Sequence, residues 1–240
     1  MKVLSGMMKS LIIGLAALLG GCNLPGAPEV RYRVIVEVER GGVVHTGSSV
    51  WSWSLKRPRV ALASPHNGKF QGEAVAVDLG DGQTLFAILR GDDDDQGAAQ
   101  MIPERVFGNI GRSVRGEPRR FGSDRVRDLR DIASRTGERR EIDCRVNPSW
   151  CPMLVTFRDI EDPTTVGQVD PFALDKTFGA GLRLKRILVE LTDEPVTHGI
   201  EKRLDWLSSQ SGALLKRPKR VSIREMPLAG RLTEGDFWRG

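Results

Sequence analysis

The sequence predicts an α+β fold, a mainly antiparallel sheet with a few short helices that follows a cleaved leader. Three observations predict it: a basic and apolar leader that ends at Cys22, alternating strand patterns broken by glycine turns, and a helical repeat near the middle of the chain. No compositional break within the 240 residues requires two domains. We therefore predict a signal peptide at residues 1–21, a tether at 22–29 and a single folded domain at 30–240.

The leader has the parts of a bacterial export signal. Lys2 and Lys9 supply positive charge, and Leu11–Gly20 supplies about ten apolar residues, roughly half of what a transmembrane helix needs. The segment Leu19-Gly20-Gly21-Cys22 has the pattern of a lipobox, the cleavage site of a lipoprotein signal peptide. We predict cleavage before Cys22, a diacylglycerol on its thiol and a further acyl chain on its amine. An uncleaved short anchor, or a secretory signal with an incidental cysteine, is the alternative.

The same segment predicts where the protein lies. More than one acyl chain makes membrane attachment effectively permanent, and the Pro/Gly segment Asn23–Pro28 would keep the domain off the bilayer. Asn23 stands where inner-membrane retention signals typically carry aspartate, which favours the outer membrane. We therefore predict a lipid-anchored envelope protein that faces the periplasm.

The charge of the mature chain is small. The full chain has 36 Lys and Arg against 31 Asp and Glu, a formal charge of +5. Loss of Lys2 and Lys9 leaves 34 basic and 31 acidic side chains, a formal charge of +3. Since the chain is also predicted to be exported, we expect no nucleic-acid partner.

The first third predicts a meandering antiparallel sheet. Residues 30–39 alternate, the glycines at 41 and 42 turn the chain, and Val43–Leu55 resumes an extended pattern. One face of the first strand carries Tyr32, Val34, Val36 and Val38. We predict a third strand at Val60–Ala63 and a second hairpin formed by Glu73–Leu79 and Gln83–Leu89 around Gly80-Asp81-Gly82.

The middle of the chain predicts one clear helix, from Ser123 to about Arg135. Ser123 can cap its start and Gly137 can end it. Its apolar positions, which share one face at helical spacing, are Val126, Leu129, Ile132 and Ala133.

The two cysteines that remain after lipidation predict a disulfide. Cys144 and Cys151 form an even pair in an oxidising compartment, and closing so short a loop is worth about 2.5 kcal/mol. A metal site would need further histidine or cysteine ligands, and a redox pair usually has a two-residue spacing. We expect Glu141–Val146 and Met153–Phe157 to form a hairpin that this bond staples.

The last third alternates between short elements. Asp170 and Pro171 predict the start of a helix that Gly179 ends, with Leu174 and Phe178 facing the core. Leu182–Thr192 is typical of a strand. Thr197 to about Ser208 predicts a last helix with Ile200, Leu204 and Leu207 inward, and the stretch from Arg217 is basic and extended.

Several motifs are distributed along the chain, namely Thr46-Gly47-Ser48-Ser49-Val50, Asp162-Pro163-Thr164-Thr165-Val166, Asp170-Pro171, Phe178-Gly179, Leu184-Lys185-Arg186, Glu190, Asp193-Glu194-Pro195-Val196-Thr197 and Gly199-Ile200-Glu201-Lys202. Together they resemble a family of uncharacterised exported proteins of proteobacteria. The resemblance covers most of the mature chain and implies a small envelope protein, often a lipoprotein. It implies no activity and no catalytic residue.

No motif predicts a catalytic or metal centre. The only histidines, His45, His66 and His198, are widely spaced, so we expect neither zinc nor any other cofactor. Thr46-Gly47-Ser48-Ser49 beside His45 lacks the elbow motif of serine hydrolases. Asp92–Asp95 lacks the alternating ligands of an EF-hand, which favours a solvated loop over a calcium site.

Two features are candidate surfaces. Trp51 and Trp53 share one strand face, and an exposed pair could bind carbohydrate or a protein partner, whereas a buried pair would belong to the core. Four cations, Lys216, Arg217, Lys219 and Arg220, could contact anionic lipid or form a solvated rim.

These observations predict a membrane-anchored envelope lipoprotein that acts as a structural or interaction module rather than an enzyme. Its partner would be another envelope protein or anionic lipid. The alternatives are an envelope hydrolase, whose site only the fold would assemble, and an anionic-lipid-binding domain.

Overall fold

The computed structural model describes residues 28–55, 68–108, 123–216, 221–222 and 225–240. These residues form two antiparallel sheets with ten strands in all, together with four short α-helices. The predicted α+β class is therefore confirmed. The leader, Cys22, His66 and the strand predicted at Val60–Ala63 lie outside the described residues.

The larger sheet has six strands. In spatial order they are β10 (Trp238–Arg239), β3 (Gly68–Glu73), β2 (Val43–Leu55), β1 (Glu29–Arg40), β9 (Leu182–Leu191) and β6 (Arg139–Ile142). The predicted hairpin of β1 and β2 is confirmed, with Tyr32 opposite Trp51. The alternating face of β1 is fully buried, because its side chains Tyr32, Val34, Val36 and Val38 point into the core.

The smaller sheet has four strands. Their spatial order is β4 (Val75–Gly80), β5 (Gln83–Gly91), β7 (Pro152–Phe157) and β8 (Val166–Gln168). The second predicted hairpin is confirmed as β4 and β5, and Asp81 in its turn has a φ of +53° between two glycines of positive φ. Glu73, the predicted first residue of this hairpin, instead ends β3. The chain therefore passes from the larger to the smaller sheet at Ala74.

The two sheets share one hydrophobic core. Valines of β1 pack in the same cluster as apolar side chains of β4 and β5. A second cluster covers the other face of the smaller sheet with side chains from the C-terminal segment, including Phe237. Both faces of β5 are therefore covered, and its residues from Leu85 to Gly91 are all buried.

Strand β3 was not predicted, and two close packing contacts explain its composition. A Cβ atom on Gly68 would lie 2.0 Å from the ring of Trp53, and one on Gly72 would lie 2.6 Å from the ring of Trp51. Both positions therefore require glycine. Glycine weakens the strand pattern, so the local sequence gives little indication that this segment is extended.

Four α-helices cover the sheets. They are α1 (Ala98–Phe107), α2 (Ser123–Ala133), α3 (Leu174–Phe178) and α4 (Leu228–Arg231). Helix α2 confirms the predicted middle helix, and its Leu129 and Ile132 are buried as expected. Ser123 was predicted to cap this helix, but its side chain is not among the described parts of the structure. Helix α1 was not predicted; the hydroxyl of Tyr32 donates a hydrogen bond to the Ala99 carbonyl near its start.

The disulfide between Cys144 and Cys151 is confirmed, but the stapled hairpin is wrong. Strand β6 ends at Ile142 and pairs with β9 in the larger sheet, whereas β7 begins at Pro152 and pairs in the smaller sheet. The bond therefore joins the two sheets. The physical reason is non-local: β9 and β5 offer longer and better buried partners than β6 and β7 offer each other.

The C-terminal predictions are confirmed in part. Leu174, Phe178 and the strand β9 have their expected places, although α3 begins three residues after Pro171. The helix predicted at Thr197–Ser208 is wrong, because two 3-10 helices form at Ile200–Lys202 and Asp205–Ser208. Leu204, between them, has φ −123° and ψ 75°, which is not a helical conformation. The expected inward residues Ile200, Leu204 and Leu207 are nevertheless buried.

Candidate functional site

The two tryptophans of the candidate surface belong to the core. Trp51 is fully buried and Trp53 is 3% exposed. The indole nitrogen Nε1 of Trp51 donates hydrogen bonds to the Glu73 carbonyl at 2.7 Å and to the Ser49 hydroxyl at 3.1 Å. The platform hypothesis for Trp51 and Trp53 is therefore wrong, and packing in the core is the correct alternative.

The basic cluster is described only at its first residue. Lys216 is exposed. Arg217, Lys219 and Arg220 lie outside the described residues, so contact with anionic lipid stays a prediction.

The residues considered for a serine-hydrolase site do not come together. His45 and Ser49 lie four residues apart on β2, a span of about 13 Å, and Ser48 points to the opposite face. The Nδ1 atom of His45 lies 2.9 Å from the Asp78 carbonyl, and the Ser49 hydroxyl accepts the bond from Trp51. Within the described ranges, no group of three or more His, Cys, Asp and Glu side chains could hold a metal ion.

The aspartate run lies in a partly exposed loop, as expected, and arginines also hold it, with Asp94 and Asp95 39% and 38% exposed. The Asp94 carboxylate accepts hydrogen bonds from Arg90 at 2.9 Å and from Arg231 at 2.8 Å. Asp95 pairs with Arg105 at 3.3 Å. Burial raises the pKa of the neighbouring Asp92 carboxyl, although a hydrogen bond from Gln168 opposes the shift.

The most distinctive backbone feature is an open sheet edge along β9. On one side, β9 pairs with β1 from Leu182 to Leu191. On the other side, the short β6 reaches only Ile187. Among the described residues, no strand pairs with the outer edge of β9 from Leu182 to Arg186. Unpaired N–H and C=O groups of an edge can form hydrogen bonds with another extended chain.

A cavity of about 590 Å³ lies along this open edge. We call it the edge groove. Its walls are Gly181 with the β9 residues 182–187, the end of β6 with residues 143–145, and the segment before and within α3. Phe172 is 48% exposed in this wall, and the guanidinium of Arg145 lies 4.4 Å from its ring centroid. The groove therefore offers an exposed aromatic surface beside a strand edge with which no described strand pairs.

Cations dominate the strand that forms the open edge. The side chains of Arg183, Lys185 and Arg186 are 67%, 36% and 40% exposed. Among the described residues, their ion-pair partners are two carboxylates, Glu39 for Arg183 and Glu37 for the other two, and both are less exposed. Hydrogen bonds from Arg186 lower the pKa of the Glu37 carboxyl, although burial opposes the shift.

A second cavity, of about 530 Å³, lies beside β10 and the two 3-10 helices. His198, Ser208 and Trp238 are among the side chains that line it. In the described part of the chain no hydrogen bond joins His198 to Ser208, so this cavity holds no assembled nucleophile and base. Two residues after His198, the N–H of Ile200 donates a hydrogen bond to the Glu73 carboxylate at 2.9 Å, and burial raises the pKa of Glu73.

Sequence reasoning missed the edge groove. Leu182-Arg183-Leu184-Lys185-Arg186 shows its alternating strand pattern and its charge in the sequence, and these are the only available signals. Nothing local indicates that β6 stops at Ile142 and leaves this stretch open, or that Phe172 lies beside it.

None of the helices in the described ranges has the length and apolar character of a membrane span. No protein-family model, no curated protein and no solved structure matches the chain. The functional argument therefore depends on the chain's own chemistry.

Proposed function

We propose that this chain is a lipid-anchored protein of the bacterial envelope, with a periplasm-facing domain that binds another envelope protein. The outer membrane is the favoured site of attachment. The lipobox ending at Cys22 supports the anchor, and the disulfide between Cys144 and Cys151 is typical of an oxidising compartment. The resemblance to exported proteobacterial proteins agrees with this proposal.

The binding role depends on one observation, the open edge of β9 beside the edge groove. A sheet edge of this kind is costly to leave exposed, because it can pair with unintended chains. A docking role explains why the cavity, the exposed Phe172 and the unpaired backbone occur at one place.

The anchor is tested by replacing its cysteine. We expect Cys22→Ala to abolish incorporation of labelled palmitate and to move the protein from the membrane fraction to the soluble fraction or leave it unprocessed. The physical reason is the loss of the acyl chains, each worth about 0.8 kcal/mol per buried methylene. Cys144→Ala is the control, since that residue is unavailable for acylation in the disulfide. Unchanged membrane fractionation with normal cleavage would overturn the anchor.

The binding role is tested by crosslinking in intact cells. A photo-reactive residue at the exposed Asp175, which lines the edge groove, should give one discrete adduct with an envelope protein. The matched control is Glu161, an equally acidic and exposed position in the turn after β7 that does not line the groove. Equal adducts from both positions, or none from Asp175, would contradict a partner at this site.

A further inference from the structure

The open stretch of β9 has a fixed length. Five residues, Leu182–Arg186, span about 17 Å of extended chain. After Ile142 the chain leaves the sheet, because Cys144 is bonded to Cys151 near the start of β7. The Asp143 carboxylate accepts hydrogen bonds from the N–H groups of Arg145 and Val146, which holds this turn. Among the residues that the structure describes, the edge is therefore open, with space for one short strand in line with β6.

Strand β1, which pairs with the other edge of β9, shows which side chains can lie opposite Leu182–Arg186. In β1, Glu37 lies opposite Arg186 and Glu39 lies opposite Arg183, and both carboxylates form ion pairs. Between them, Val38 is buried in the core. An acid–apolar–acid strand thus already pairs with one side of β9, across a register shift next to Lys185.

The groove has matching surfaces for a second strand. Arg183 remains 67% exposed, and Lys185 and Arg186 share the single carboxylate of Glu37. For apolar side chains, Leu184 and the exposed ring of Phe172 line the cavity. The acids Glu141, Asp143 and Asp175 also line it. Of these, Asp143 is engaged by backbone N–H groups, and Glu141 lies near Arg186.

A second copy of this chain is a poor occupant. Two copies of Leu182–Arg186 in an antiparallel pair would place cations against cations, which is unfavourable for directly opposed residues.

We infer that the open edge of β9 binds an extended segment of another protein, in which acidic and apolar residues alternate. The segment runs antiparallel to β9 and continues the line of β6. Its backbone forms hydrogen bonds with Leu182–Arg186, its carboxylates pair with Arg183 and Arg186, and its apolar side chains contact Leu184 and Phe172. This inference rests on the proposed binding role but not on the lipid anchor.

The test uses the purified full chain, kept in detergent, and a fluorescent peptide of seven alternating glutamate and valine residues. We expect saturable binding by fluorescence polarisation and slower amide exchange in Leu182–Arg186. Arg183→Glu should weaken binding about tenfold, because it replaces an attraction with a repulsion. Arg139→Glu is the matched control and should leave affinity unchanged. This substitution makes the same change of charge on the same sheet. It lies in β6, however, where β6 already pairs with β9.

Two results would overturn the inference. One is equal affinity for the peptide and for a version methylated at alternate backbone nitrogens. Binding would then depend on charge and not on hydrogen bonds between strands. The other is protection of Leu182–Arg186 in a protein dimer without peptide, which would assign the edge to a second copy. Either result leaves the fractionation of Cys22→Ala unaffected. If the crosslink at Asp175 forms but the peptide does not bind, the proposed partner at the groove stands and the acidic, alternating segment is rejected.

Discussion

Replacing Arg90 with methionine is expected to lower the free energy of unfolding by about 3–5 kcal/mol. The guanidinium binds the Asp236 carboxylate through two hydrogen bonds, Nε to Oδ1 at 3.1 Å and Nη2 to Oδ2 at 3.0 Å. Both side chains are almost completely buried, at 4% and 2% exposure. Without Arg90, the carboxylate of Asp236 would remain in the interior and would lose both hydrogen bonds and its paired guanidinium.

The position of this pair adds to the expected loss. Arg90 lies on β5 and also donates to the Arg231 carbonyl at the end of α4 and to Asp94 in the aspartate loop. Burial, the largest single effect, lowers the pKa of the Arg90 guanidinium, but the hydrogen bonds and opposite charges of Asp236 and Asp94 together outweigh burial and raise it. The arginine thus joins the smaller sheet to the C-terminal segment.

Urea denaturation followed by circular dichroism measures this effect. Arg139→Met is the control, because it breaks an exposed ion pair with Glu190 and should cost less than about 1 kcal/mol. The double variant Arg90→Met with Asp236→Leu should recover part of the loss, since it removes the buried unpaired charge. A loss for Arg90→Met no larger than that of the control would contradict the assigned role.

The second large effect is expected at Trp51, where alanine should cost about 3–5 kcal/mol. The indole is fully buried and makes edge contacts with Tyr32 and Phe70, with ring centroids 5.9 Å and 6.0 Å away. Its Nε1 also satisfies the carbonyl of Glu73 at 2.7 Å. Alanine would therefore leave a cavity and a buried carbonyl that has lost a hydrogen bond.

Trp238→Ala is the matched control, because Trp238 is 43% exposed on the edge strand β10. Its loss should be well below that of Trp51→Ala when both are measured by urea denaturation. If Trp51→Ala does not fold, Trp51→Phe keeps most of the volume, removes the Nε1 donor and should cost about 1–3 kcal/mol. Equal losses for Trp51→Ala and Trp238→Ala would show that the core does not depend on this indole.

The sequence predicted elements whose signal is local. The alternation of β1 and the glycine turn around Asp81 specify hairpins through near neighbours, and both hairpins formed. The face of α2 with Leu129 and Ile132 is likewise a local helical repeat. In these segments, the residues that determine the structure lie within a few positions of one another.

The wrong predictions share a different cause. β3 has glycines because Trp51 and Trp53, distant in sequence, occupy the space of their side chains. The segment after Gly199 has a helical pattern, but Glu73 takes the N–H of Ile200 and the chain turns there. Contacts outside the local window, of which Glu73 with Ile200 spans 127 positions, outweigh a weak local preference.

From the sequence by itself came the α+β class and the pairing of two nearby cysteines, both of which the structure confirms. The lipobox ending at Cys22 also came from the sequence and stays a prediction. Only the tertiary structure decided that the disulfide joins two sheets, that Trp51 and Trp53 are core residues, and that β9 keeps an open edge beside Phe172. The reason is that burial and strand pairing depend on which distant segments meet. A strand's own residues show that it will be extended, but only its neighbours in the fold determine whether an edge stays open.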